Sequence, residues 1–250
     1  MTEHVTRTAP RQPTWLRLLG LAAVALFGVG FFLAIFVSPA DINQGELIRI
    51  MYAHVSVAWI SFLAVALTAL FGSVFLWRGG RTYDVWAVAN AELALVFAAL
   101  TLLGGMTYSR PTLNTWWTWD AKLTLTALMF ALLVGYFIVR GLIDDPERRG
   151  RVSAVVSIIV LASLPFNYLA AEWFRTLHPA KSLNLDGSGV TMDGSMVQVL
   201  LTNVAAAALL YLYFMLERVR VGRLEVEAND AHDARSSATT QDTGQEVIHV

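Results

Sequence analysis

"MYAHVSVAWISFLAVALTALFGSVFLW", residues 51–77, runs for 27 residues without an aspartate, glutamate, lysine or arginine. A helix needs about 20 mostly apolar residues to cross a hydrocarbon core roughly 30 Å thick, so this stretch reads as a membrane span. Nothing about spanning requires its one histidine, His54, a turn in from the start.

Five more runs of the same kind lie on either side, near 16–37, 85–108, 123–140, 152–171 and 197–216. Charges, prolines and turn residues fall between them. The whole chain agrees: 56% hydrophobic and 15% charged, with a mean hydropathy of +0.55, where a soluble domain has about 45–50% and about 25%. The expected fold is all-α, a polytopic membrane protein of six transmembrane helices. Residues 1–15 form a leading segment, 16–216 the membrane domain and 217–250 a polar tail without periodicity, expected to be disordered. The first run is longer than the 7–15 apolar residues of a signal peptide, so it is read as an uncleaved helix despite "SPA" at 38–40.

Lysine and arginine set orientation. The N-terminal segment, residues 78–84, 140–151 and the tail together carry thirteen of them; the alternate segments carry only Arg49, Arg110, Lys122, Arg175 and Lys181. Both termini are therefore expected in the cytoplasm, with the loops near 38–50, 109–122 and 172–196 outside. Cysteine is absent, which excludes disulfides, thiolate metal sites and a cysteine nucleophile. The net charge of -1 carries no nucleic-acid signature.

The outer loops hold the unusual chemistry. "NTWWTWDAK" at 114–122 places Trp116, Trp117 and Trp119 within four positions. Interfacial tryptophans form belts at membrane surfaces, which accounts for Trp15, Trp77, Trp86 and Trp173 but not for such a cluster. His54 and His178 reach the same surface, whereas His4, His232 and His249 lie in polar tails. Two imidazoles, flat aromatic surface and nearby cations suit haem, a planar macrocycle with two axial positions and two anionic propionates. A bare metal ion is the weaker alternative, since zinc commonly takes three or four protein ligands.

"RIMYAHVSVAW" at 49–59, "RPTLNTWWTWDAKLT" at 110–124 and "EWFRTLHPA" at 172–180 together resemble the tryptophan-rich, haem-handling family of cytochrome c biogenesis proteins, most closely its small six-span members. The likeness covers roughly 15–220. It implies haem b as cargo, His54 and His178 as axial ligands of its iron, and Trp116, Trp117, Trp119 and Asp120 as the segment that holds haem and engages a chaperone. Arg49 and Lys122 are the cationic candidates. Where the family has Trp-Gly before the cluster and arginine after WDA, this chain has Leu113-Asn114 and Lys122; lysine keeps the charge without bidentate pairing. The resemblance further implies a non-enzymatic protein of the bacterial cytoplasmic (inner) membrane, without catalytic residues. Such a protein presents haem at the outer face to a membrane-anchored chaperone (CcmE), alongside an ATP-driven transporter (CcmA with CcmB) and a small helper subunit (CcmD). The rival readings are a haem lyase, which would carry additional spans and histidines, a transporter, and an electron-transfer subunit with histidines inside the bilayer.

Three features inside the spans complete the reading. Glu92 is costly at membrane depth and is expected to face the bundle, bonded to Asn90, Thr202 or Asn203, or to belong to a haem entry path. Pro165 is expected to kink the fifth span. "AAAA" at 205–208 gives the sixth a small-residue face for close packing.

Overall fold

The computed structural model describes residues 11–174, 176–178 and 192–246, with the backbone alone for 237–246. His4, Arg7, Arg175, Lys181 and His249 lie outside the described residues. Six helices form: α1 (Thr14–Phe32, continued by a π-helical turn over Leu33–Val37), α2 (Ile48–Arg78), α3 (Arg81–Leu113), α4 (Ala121–Gly141), α5 (Pro146–Trp173) and α6 (Gly194–Glu246). All six are long and apolar enough to cross a membrane, and the described residues contain no strand.

Local chemistry marks the boundaries. Gly79 stops α2 at a φ of 67°, a conformation that costs glycine little. Asn114, at a φ of 55°, closes α3 in the left-handed region, which asparagine tolerates. Asp120 and Asp145 cap α4 and α5 with side-chain bonds to the backbone N–H of Lys122 and Arg148, and Pro146 opens α5, where its missing N–H costs nothing. α5 runs unbroken through Pro165 to Trp173.

The bundle is built around α2, which packs against α3, α5 and α6. In lipid no hydrophobic force draws helices together, so association relies on close packing and interhelical hydrogen bonds. The centre accordingly holds many alanines: Ala64, Ala89, Ala94, Ala98 and Ala207 pack with Met129, Leu133, Val160 and Tyr211. Larger apolar side chains, such as Leu70, Leu103, Phe27 and Ile159, point away from the bundle.

Ion pairs join helices at the end opposite His54. Arg140 of α4 grips Asp84 of α3 through two hydrogen bonds of 2.8 and 2.5 Å. Further in, Arg218 of α6 donates to both oxygens of Glu92, at 2.5 and 2.9 Å. The partner expected for Glu92 is thereby corrected. Asn90 bonds the Trp86 carbonyl and the Tyr211 hydroxyl, Asn203 the carbonyls of Gly30 and Val199, and Thr202 the Gln198 carbonyl. A charged acid at this depth is better met by a guanidinium than by an amide, because the fork neutralises both oxygens.

The expectation of a tail without structure from 217 also needs correction: α6 continues as helix to Glu246. Alanine, glutamate and arginine recur beyond Glu217 and favour helix locally. Arg218–Glu225 and Arg81–Asp230 pairs add support.

Candidate functional site

At the other end of the bundle a cavity of about 610 Å³ opens between α2, α3, α4, α5 and the loops joining them. α2 supplies His54 and Phe62, α3 supplies Gly105 and Tyr108, the 114–120 loop supplies Trp117, α4 supplies Lys122, and the segment after α5 supplies His178. Residues more than 120 positions apart in sequence, His54 and His178, thus share one wall system.

The polar atoms of this wall are incompletely satisfied. Ser109 Oγ, Trp117 Nε1, Thr118 Oγ1 and Asn167 Oδ1 are buried without a well-formed hydrogen bond, all four residues line the cavity, and the His54 imidazole is held against the Thr101 backbone. Buried polar groups ordinarily find partners, so this wall differs from the alanine-rich centre of the bundle. His54 lies against a bare patch of α3. A Cβ at Gly104 would sit 3.0 Å from its Nδ1, and one at Gly105 would sit 3.3 Å from its Cε1. Two consecutive glycines therefore seat the imidazole.

Lys122 donates to the Asn167 carbonyl at 2.6 Å and lies 5.8 Å from the centre of the Phe62 ring, which holds its ammonium at the cavity. Tyr108 donates to Gln44 at 2.8 Å, closing the wall between α3 and the 38–47 loop. The His178 backbone N–H bonds the Thr176 hydroxyl at 3.1 Å.

The tryptophans divide. Trp117 faces the cavity, while Trp116 and Trp119 are 54% and 83% exposed and do not line it. Trp117 and Trp119 meet edge to face, with centroids 5.6 Å apart, so the inner ring braces the outer one. Asp120 stands behind the wall: one oxygen accepts from the Lys122 N–H at 2.9 Å and the other from the Leu177 N–H at 2.7 Å. Burial works to raise its pKa, but hydrogen bonds from the Thr176 side chain and the backbone of Leu177, Lys122 and Leu123 outweigh it and hold the carboxyl below its usual range.

Arg49 is turned aside. It pairs with Glu46 and donates to the carbonyls of Ala34 and Ile35, which the π-helical turn at the end of α1 leaves available. Arg110 likewise bonds Asn114. Of the residues singled out in the sequence, His54, His178, Trp117 and Lys122 come together at the cavity. Gly104, Gly105, Tyr108 and Asn167 were not anticipated; the Gly-Gly pair inside a span was the available signal.

Compared with known proteins, residues 3–234 match the family model of Heme exporter protein C (CcmC). The chain belongs to that family. Heme exporter protein C of Bradyrhizobium diazoefficiens is 32% identical over 204 residues, 81% of this chain and 76% of that one. Its counterpart in Haemophilus influenzae is 28% identical over 220 residues, 84% and 85% of the two chains. A ccmC-like mitochondrial protein of cytochrome c biosynthesis from Marchantia polymorpha is 28% identical over 192 residues, 77% and 81%. The family belongs to membrane transport and cytochrome c biogenesis rather than to enzymes, and with its six spans the chain is a multi-pass membrane protein.

Proposed function

We propose that the cavity holds haem b, as cargo, with His54 and His178 as the two axial ligands. The observation that carries this reading is the meeting of both imidazoles in one cavity beside Trp117 and Lys122. The donor set fits the group. Haem iron takes two axial nitrogens, Lys122 offers a cation to a propionate, and a cavity of about 610 Å³ lies within the roughly 300–1,000 Å³ of small-molecule sites. Among the described residues no three histidine, cysteine, aspartate or glutamate side chains gather as a metal site, which favours haem over a bare ion.

The membrane is the bacterial cytoplasmic (inner) membrane. The basic asymmetry supports cytoplasmic termini and a cavity facing the periplasm or cell exterior. There the protein presents haem to the membrane-anchored chaperone CcmE, working with the ABC-type subunits CcmA and CcmB and the helper CcmD. The family description as a haem exporter supports this. In this arrangement Trp117 packs on the cargo, and Trp116 and Trp119, exposed beside the mouth, form the surface offered to the chaperone.

Cells carrying Trp119→Ala test the proposal, with haem per purified protein measured beside chaperone loading. Bound haem should stay within about twofold of the parent, since an exposed side chain contributes little to holding it, while loading falls well below that. Normal loading would leave Trp119 as a membrane anchor and remove the docking surface from the account.

A further inference from the structure

Asp120 belongs to the tryptophan-rich segment, yet it does not line the cavity. Both of its oxygens are already engaged, one by the Lys122 N–H and the other by the Leu177 N–H. Each of those bonds adjoins a cavity residue: Lys122 itself, and His178 next to Leu177.

The second bond matters because of where His178 sits. α5 ends at Trp173 with Phe174 in extended conformation, and His178 follows four residues later. Four extended residues reach about 13 Å, so α5 alone leaves the imidazole a wide volume to explore. A charge-assisted bond from the neighbouring backbone N–H removes much of that freedom.

We propose that Asp120 is a positioning residue, a strap that ties the start of α4 to the 176–178 segment and so sets the spacing of Lys122 and His178 across the cavity. The idea rests on the reading of His178 as an iron ligand, but the strap itself is independent of haem. It differs from the family resemblance, which makes Asp120 part of the surface that meets haem and chaperone. Here its carboxylate acts through the Lys122 and Leu177 N–H groups and through the Thr176 side chain, whose hydroxyl accepts from the His178 N–H.

Two readouts on the full-length protein test it. The first is amide hydrogen exchange of the 176–178 segment in haem-free protein, comparing parent, Asp120→Ala, Asp120→Asn and, as control, Gly135→Ala, where the added carbon meets nothing within 4 Å. Asp120→Ala should accelerate exchange at Leu177 by about tenfold or more, the loss expected for a hydrogen bond to a charged group. Asp120→Asn keeps one acceptor oxygen and should fall between, and Gly135→Ala should match the parent. The second is the absorption spectrum of haem-loaded protein. Asp120→Ala should move from two-imidazole toward one-imidazole character, and added free imidazole should restore it. Unchanged exchange and spectrum in Asp120→Ala would overturn the strap. If that variant does not accumulate, Asp120→Asn carries the test, and parent-like exchange there overturns it. A parent spectrum without two-imidazole character would count against the haem reading alone, because the exchange experiment needs no haem.

Discussion

The two ends of this bundle handle polarity in opposite ways. At the Arg140 end, charge inside the helices is matched: Arg140 holds both oxygens of Asp84, and Arg218 both oxygens of Glu92. At the His54 end the wall has few charges and several polar atoms without a well-formed hydrogen bond: Ser109 Oγ, Trp117 Nε1, Thr118 Oγ1 and Asn167 Oδ1. Lipid offers no hydrogen bonds, so an unmet group in a span costs several kcal/mol unless something supplies a partner. The Arg140 end thus pairs its interhelical acids within the protein, with Arg149 Nε and Ser153 Oγ as the buried atoms lacking a partner there among the described residues, whereas the cavity wall gathers more such atoms.

The largest way to break that contrast is to remove a partner at the finished end. Arg140 and Asp84 have side chains only 14% and 19% exposed, so Arg140→Ala strands a buried carboxylate at a cost of about 3 kcal/mol. Protein recovered from membranes and thermal stability in detergent should fall, while haem per folded molecule stays constant. Exchanging the two residues, Asp84→Arg with Arg140→Asp, should regain part of the loss. If Arg140→Ala instead lowers haem content and leaves stability intact, the two ends are not separate in function.

A middle-sized effect sharpens the other side. Trp117 is the ring that faces the cavity, and truncating it should weaken haem retention by about tenfold, half or less of what a fully buried tryptophan costs. Stability should change less than in Arg140→Ala, because Trp117 packs on a loop rather than in the alanine-rich centre. Haem titration into the purified variant measures this. A smaller effect is expected at the glycine seat: Gly104→Ala pushes the His54 ring by a few tenths of an ångström and should alter the spectrum more than the affinity. Gly135→Ala, with nothing within 4 Å of the added carbon, is the control that should change neither.

The difference between the ends also explains what the sequence revealed. Six spans were legible because length and hydropathy alone decide them. His54 and His178 stood out on the outer face because a membrane helix does not need histidine, whereas Lys122 was one of five outer cations and stood apart only through the family resemblance. Which tryptophan faces inward was not legible: Trp116, Trp117 and Trp119 are chemically alike, and the turn from Asn114 through Asp120 decides their directions. The bonds of Arg49 to the Ala34 and Ile35 carbonyls were not legible, because they depend on the π-helical turn at the end of α1. The Glu92 partner was hidden because Arg218 lies beyond the apolar run, and only the continuation of α6 as helix brings it alongside α3. The glycine seat was hidden because Gly-Gly in a span signals close packing without saying what packs there.

Joint ligation of one haem iron by His54 and His178 is read out by the low-temperature electron paramagnetic resonance spectrum of the oxidised, purified protein. The parent should give a low-spin ferric signal characteristic of two imidazoles. His54→Ala and His178→Ala should each lose it in favour of a high-spin signal, and free imidazole should bring a low-spin signal back. A parent-like low-spin spectrum in either single variant would contradict joint ligation and remove that histidine from the iron.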